Sequence, residues 1–169
     1  MRRGLALAVL ALVAGAAVGQ GDSFAFMPDG GRGVFARAFP DPAKQREALA
    51  QTHSAEDWQA ALATSGLTER ETATLAAYLS RVAPLEAKGP VESLPQDGRD
   101  LAMAQCQSCH SLFSGYLMQR RDRNGWLVIF ASPFHKDIPM SQTQREIFAD
   151  YSALNMPMRM EDVPPEMRF

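Results

Sequence analysis

Both cysteines of the chain lie within five residues, and a histidine follows the second one directly. The segment reads Cys106-Gln107-Ser108-Cys109-His110. Three kinds of chemistry use cysteine pairs at this spacing: a disulfide or thiol redox pair, a zinc site, and covalent attachment of haem. In the third, two thiols add to the porphyrin and the adjacent imidazole binds the iron.

The rest of the sequence favours covalent haem. A thioredoxin-like redox pair should be embedded in a βαβ pattern, which this sequence lacks. A zinc site needs further ligands, yet the chain has 3 histidines and no second cysteine pair. A disulfide is the alternative, because exported proteins commonly form them. We therefore predict one haem c held by Cys106 and Cys109, with His110 as the first axial ligand.

The amino terminus has the pattern of a secretory signal peptide. Two arginines stand among the first three residues, Leu5 to Val18 is almost wholly Leu, Ala and Val, and small residues follow. The apolar run is short for a membrane span. We expect residues 1–19 to be cleaved, leaving a periplasmic protein without a stable membrane span; an uncleaved anchor is the alternative.

The charge balance argues against nucleic acid as a partner. The chain has 17 Lys and Arg against 19 Asp and Glu, and removal of Arg2 and Arg3 takes the basic count from 17 to 15. The sequence has no basic run and no interleaving of basic with aromatic residues. The mature protein is therefore expected to be mildly acidic.

Sequence periodicity predicts an all-α fold. Apolar residues recur at helical spacing, and neither half of the chain shows the period-2 alternation of β-branched residues that strands show. Two segments open with a capping box, Thr68 with Glu71 and Ser141 with Gln144. These boxes predict the starts of two helices.

The segment from Gly98 to Asn155 resembles the small class I c-type cytochromes. The resemblance rests on Gly98 and the helix leading into the cysteine pair, a middle helix around Trp126, and a last helix ending in Tyr151. The segment is most similar to the haem subunits of periplasmic sulfite dehydrogenases. The resemblance implies a helical haem domain in which Trp126 and Tyr151 line the pocket and a Met before the last helix is the sixth ligand.

Part of this pattern occurs twice in the chain. The matched pairs are Thr68 and Ser141, Tyr78 and Tyr151, Pro84 and Pro157, Trp58 and Trp126, and Gly31-Arg32 and Gly98-Arg99. In place of the cysteine pair the first copy has Phe39-Pro40-Asp41-Pro42-Ala43, which cannot hold haem. We predict a degenerate, haem-free cytochrome-like half at residues 20–88 and a monohaem cytochrome c domain with a Met-rich tail at residues 89–169.

The sixth iron ligand departs from the family pattern. The Met expected seven residues after Trp126 is absent, because that position is Pro133. We favour His135, which lies in the five residues by which this interval exceeds its counterpart in the first half. The alternative is Met140, which otherwise packs under the last helix. Remote candidates are His53, Met27 and the tail residues Met156, Met158 and Met160, which could instead bind Cu(I).

These features predict electron transfer without catalysis by the chain itself. We expect the electron-accepting cytochrome subunit or partner of a dehydrogenase. The resemblance implies a molybdenum-cofactor sulfite dehydrogenase as that partner, with a downstream cytochrome or oxidase as acceptor. The alternative is a haem enzyme or ligand-binding haem protein with an open distal face, in which His135 acts as acid or base.

Overall fold

The computed structural model describes residues 22–86, 93–107 and 111–169, and all regular structure in these ranges is helical. The α-helices are α1 (Gly31–Ala38), α2 (Pro42–Leu49), α3 (Ala55–Ala61), α4 (Glu69–Val82), α5 (Gly98–Gln105), α6 (Arg123–Val128) and α7 (Gln142–Asn155). Short π or 3-10 turns lie at Phe113–Leu117, Ile129–Ala131, Met160–Asp162 and Pro165–Met167. The all-α prediction is confirmed for these residues.

The helices of the described ranges include none that is long and apolar enough to cross a membrane. The predicted signal peptide, residues 1–19, lies outside those ranges. So does the predicted boundary between the two halves, at residues 88 and 89.

Local capping determines where the helices begin. The two predicted capping boxes are confirmed: Thr68 accepts from the Glu71 N–H and Ser141 from the Gln144 N–H, while the Glu71 and Gln144 side chains accept from the cap residues' own N–H groups. Ser54 opens α3 with the same arrangement. Each such cap stabilises its helix by about 1 kcal/mol.

Two sets of helices follow one another in the same order. The first set is α1, α3 and α4, and the second is α5, α6 and α7. The first helices each span 8 residues and the last helices each span 14. In both sets the first helix and the tryptophan-bearing helix pack on the last helix. The two last helices, α4 and α7, also pack on each other and join the sets.

A glycine brings the first helix of each set against the last. A Cβ added to Gly31 would lie 2.3 Å from the Cβ of Tyr78, and one added to Gly98 would lie 2.1 Å from the Cβ of Tyr151. Any larger side chain would force these helices apart, so the close crossing requires glycine. The glycine and tyrosine pairs matched in the sequence thus meet in the same way in both sets.

The two tyrosine hydroxyls reach across to the opposite half. Tyr78 Oη donates to the carbonyl of Pro95, and Tyr151 Oη donates to the carbonyl of Pro28, each at 2.6 Å. Burial raises the pKa of both phenols, so both are protonated donors at neutral pH. The segment that leads into each half is therefore held by the other half.

Charged groups also tie α4 to α7. The Arg81 guanidinium bonds to Glu146 and to Asp150, each at 2.9 Å, and Asp150 also accepts from Arg123 at 2.5 Å. Beneath these contacts one hydrophobic core runs through both halves. Its fully buried members include Phe35, Leu75 and Leu79 from the first half and Leu101, Leu117 and Phe148 from the second.

Asp97 is buried where the starts of α1 and α5 meet, with 3% of its surface exposed. Its carboxylate caps α5 by accepting from the Asp100 N–H at 3.0 Å, and it accepts from the Arg32 N–H at 2.9 Å. Arg32 Nε pairs with Asp100 at 3.0 Å. Burial, followed by the nearby charge of Asp100, raises the pKa of Asp97 to about 6. The carboxyl therefore links the two halves, although burial destabilises its charged form.

The residues after α7 return along the second half. The Met158 N–H donates to the carbonyl of Leu117 at 2.8 Å, and the Val163 side chain is fully buried. The Ser111 hydroxyl contacts the carbonyl oxygen of Phe169. The tail thus packs close to the segment that follows the cysteine pair.

Candidate functional site

A cavity of about 700 Å³ lies between the end of α5, helix α6, the segment before α7, and α7 itself. Its size falls within the range of small-molecule and cofactor sites in proteins. Its walls are mainly apolar and aromatic. The lining residues include Cys106, Tyr116, Trp126, Phe130, His135 and Met140.

Four of the residues selected from the sequence meet at this cavity: Cys106, Trp126, His135 and Met140. Cys109 and His110 lie outside the described residues. The structure therefore places the first cysteine of the pair at a cavity that also contains both near candidates for the sixth ligand.

Tyr151, which the resemblance assigned to the pocket, is placed elsewhere. Its ring packs against Gly98 and its hydroxyl bonds to Pro28, and it is not among the residues that line the cavity. Tyr116 lines the cavity instead. It is fully buried in the turn Phe113–Leu117, and its hydroxyl shares a hydrogen bond of 2.9 Å with Ser152.

Cys106 terminates α5 and borders the cavity with a free thiol. Its backbone N–H donates to the carbonyl of Ala102 at 2.9 Å, which fixes the residue at the helix end. Burial raises the pKa of the thiol to about 12. The thiolate form that thiol–disulfide exchange requires is therefore scarce at neutral pH.

A compact segment, residues 132–140, contributes six lining residues to the cavity; we call it the distal loop. His135 is half-buried in it, and its Nδ1 lies 2.8 Å from the Ser132 hydroxyl. The N–H groups of His135 and Lys136 both donate to the Ser132 carbonyl, at 3.1 and 2.9 Å. Met140 ends the distal loop and is 7% exposed.

Arg145, in the first turn of α7, holds the distal loop against the helix. Its guanidinium donates to the carbonyls of Lys136, Ile138 and Met140 at 2.9, 3.3 and 3.2 Å. It also lies 4.9 Å from the ring centroid of Phe130, a cation–π distance. One charged side chain thus donates to three loop carbonyls, of which that of Ile138 also accepts from the Met140 N–H.

An aromatic cluster forms the inner wall. Trp126 lies 5.3 Å from Tyr116 and 5.8 Å from Phe148 between ring centroids, and Phe130 lies 5.6 Å from Phe148. The last two pairs are edge-to-face, an arrangement that aromatic rings favour. This side of the cavity is therefore aromatic and apolar.

The charged side chains among the described lining residues are Arg121 and Asp137. Trp126 is 2% exposed, and its Nε1–H has no acceptor among the described residues. The Arg121 guanidinium lines the cavity, 5.7 Å from the centroid of the Trp126 ring. An anionic group held in this cavity would find the Trp126 indole donor and the Arg121 cation nearby, while the Asp137 carboxylate at the rim is exposed and paired with Lys136.

No family model, curated protein or solved structure matches the chain. The function is therefore argued from the site. Within the described ranges, no group of three or more His, Cys, Asp or Glu side chains is placed to hold a metal ion.

The remote candidates lie away from the cavity. The His53 ring packs edge-on against Trp58 at 4.9 Å. Met27 is buried at a smaller cavity of about 380 Å³, which Met158 also lines. Of the other tail residues, Met156 is buried, whereas Met160 is 56% exposed. The three tail methionines thus differ in their surroundings.

Two features of the site were missed in the sequence analysis. Tyr116 lies in a π turn, which has no periodic pattern in the sequence. Arg145 binds backbone carbonyls, which every residue has, so the sequence does not indicate its partners. Phe148, in contrast, stands three residues before Tyr151 on a predicted helix, and its share in the wall could have been inferred from helical spacing.

Proposed function

We propose that the protein carries one covalent haem c and transfers electrons. One observation carries the proposal: Cys106, the first residue of a haem attachment sequence, borders a cavity of about 700 Å³ that His135, Met140 and Trp126 also line. Cys106 and Cys109 would form the thioether bonds, and His110 would be one axial ligand. His135 or Met140 would be the other.

The chain's own residues fit such a group. The aromatic wall excludes water and lowers the local dielectric, the Trp126 N–H lacks the acceptor that a propionate would provide, and Arg121 adds positive charge. The bound haem supplies an iron that cycles between ferrous and ferric states, and the protein tunes its potential through axial ligands and burial.

A thiol redox function fits the site less well. A reactive pair needs a thiolate, and burial at Cys106 raises the pKa of the thiol to about 12. The cavity would also have no role in a simple disulfide. An exported haem protein explains both the cysteine pair and the space beside it.

We further infer that the two helix sets arose by duplication and that the first half lost its haem. The support is the repeated order of helices, the equal lengths of the first and last helices, and the two glycine–tyrosine crossings. In the first half Asp41 caps α2 in the region that would correspond to the cysteine pair. A half without haem adds surface, which suits a subunit that docks to a partner.

The partner that we propose is a periplasmic dehydrogenase that donates electrons to the haem, with a molybdenum-cofactor sulfite dehydrogenase as the specific candidate. A downstream cytochrome or oxidase would accept them. Affinity capture from the periplasm of the native host should recover a molybdenum enzyme, and sulfite should then reduce the haem in the captured complex. Recovery of no molybdenum enzyme would contradict this partner.

Mass spectrometry combined with a pyridine haemochrome assay tests the haem itself. Expressed in a periplasm with the haem attachment machinery, the protein should gain the mass of one haem. Cys106→Ser or Cys109→Ser should abolish the doubly linked product, because each removes one thioether. The matched control Gln107→Ala, at an exposed position between the cysteines, should retain it. An unmodified mass with a Cys106–Cys109 disulfide would refute the proposal.

The alternative, a haem enzyme or ligand-binding protein with an open distal face, is favoured by one observation: His135 lines the cavity without being fully buried. It predicts a high-spin ferric spectrum and rapid binding of cyanide. The electron-transfer proposal predicts a low-spin spectrum, because both axial positions are then filled by the protein.

A further inference from the structure

We propose that His135 is the sixth haem ligand through its Nε2, and that Ser132 and Arg145 position it. This inference rests on the proposed function, since it assigns residues to the haem that the chain is proposed to carry. It concerns the distal loop, residues 132–140, and the helix behind it.

The first argument is the hydrogen bond to the His135 ring. The Ser132 hydroxyl lies 2.8 Å from Nδ1. Metal-binding histidines almost always donate their second ring N–H to a nearby oxygen, which fixes the tautomer and the ring orientation. In the tautomer whose Nδ1–H donates to the Ser132 hydroxyl, the lone pair is on Nε2. Ser132 thus prepares His135 for ligation through that atom.

The second argument is the anchoring of the distal loop. The three carbonyls bound by Arg145 belong to Lys136, Ile138 and Met140, which follow His135 directly. The guanidinium is also packed over Phe130, in the turn that precedes the loop. The loop is therefore tied on both sides of His135 to α7. A loop held this way loses little further freedom when its side chain binds iron.

The third argument separates His135 from Met140. Met140 belongs to the hydrophobic core and stands directly before the cap of α7; Leu67 stands directly before the matching cap of α4 and packs against the same core. An apolar residue therefore occupies this position in the haem-free half too. In contrast, 15 positions separate Trp126 from Ser141 against 10 from Trp58 to Thr68, and His135 lies in that longer interval.

The ferric spectrum of the wild-type holoprotein decides the ligand. We expect a low-spin signal without the far-red sulfur-to-iron band. His135→Ala should become high-spin and return to low-spin when imidazole is added, whereas Met140→Leu should stay low-spin. A sulfur band that Met140→Leu removes would overturn the inference while leaving the proposed function intact. A protein that attaches no haem would refute both.

The positioning roles have their own readouts. Ser132→Ala should raise the reduction potential of the haem, because the His135 ring loses the hydrogen-bond acceptor that strengthens its bond to ferric iron. Ser132→Thr keeps the hydroxyl and should restore the wild-type potential. Arg145→Ala should speed cyanide binding by about tenfold or more, because the ligand dissociates more often. The matched control Lys136→Ala, an exposed loop residue paired with Asp137, should leave the rate unchanged.

These variants also separate positioning from stability. If Arg145 were only structural, Arg145→Ala would lower the midpoint of unfolding without changing the cyanide rate of the folded holoprotein. If Ser132 were incidental, Ser132→Ala would leave the potential at the wild-type value. Either result would overturn the role assigned to that residue.

Discussion

At the scale of single residues, Asp97 is a buried carboxyl whose pKa is raised in the folded protein. It accepts two backbone N–H bonds at the meeting point of α1 and α5, yet burial raises its pKa. The desolvation of the carboxylate therefore outweighs its hydrogen bonds.

Asp97 should make the protein less stable as pH rises. Its folded-state pKa of about 6 exceeds its ordinary value of 3.8, so the folded state binds more protons between these pH values. The free energy of unfolding should fall from about pH 4 to about pH 6 by up to about 3 kcal/mol and stay low above that. Urea unfolding across this range measures it.

Asp97→Asn is the diagnostic variant, because Asn can still cap α5 but does not titrate. Its stability should lack the decline between about pH 4 and about pH 6. Asp41→Asn, at the exposed cap of α2, is the control and should keep the decline. A wild-type protein whose stability rises with pH over this range would contradict the assignment.

The residues of the site differ in how far the sequence could identify them. Cys106, Trp126 and His135 were found because their residue types carry chemistry, and the structure brings them to one cavity. Ser132 and His135 are three residues apart, so a single turn can bring them together. A serine at that spacing does not by itself predict a hydrogen bond to the histidine ring. Tyr116 could not be identified, because its burial arises from tertiary contacts.

At the scale of elements, the crossing of each first helix with its last helix depends on one glycine. Gly31→Ala should destabilise the protein by roughly 1–3 kcal/mol, because the added Cβ would lie 2.3 Å from the Cβ of Tyr78. Chemical denaturation followed by circular dichroism measures the change.

Gly33, also in α1, offers a matched control for Gly31. A Cβ on Gly33 would lie 3.6 Å from its nearest neighbour, an ordinary contact. Gly33→Ala should therefore leave stability unchanged or raise it by up to about 1 kcal/mol, through higher helix propensity. Equal destabilisation by both variants would show that the α1 crossing is not the cause.

The starts of α4 and α7 could be predicted because capping boxes are local, needing only residues three apart. The pairing of α1 with α4 and of α5 with α7 could not, since it depends on distant contacts. The repeated glycines and tyrosines were visible as coincidences in the sequence. Only the structure shows that they touch.

At the scale of the whole molecule, the two halves share one core and exchange hydrogen bonds, so they should unfold together. Each half contains one tryptophan, which allows a direct test. Trp126→Phe leaves Trp58 as the reporter for the first half, and Trp58→Phe leaves Trp126 for the second.

In each single-tryptophan variant, the fluorescence midpoint in urea should coincide with the midpoint from circular dichroism. This result is expected even though the variants differ in overall stability, since each is compared with itself. A Trp58 transition well separated from that of the helices would mean that the first half unfolds independently.

The hydrogen bonds that Tyr78 and Tyr151 make to the opposite half limit how far the gene can be shortened. A coding sequence cut back to the second half would leave Tyr151 without the Pro28 carbonyl and Asp97 without the Arg32 N–H. Because the second half bonds to backbone groups of the first, a shortened gene should encode a less stable protein even where every residue of the cavity wall is kept.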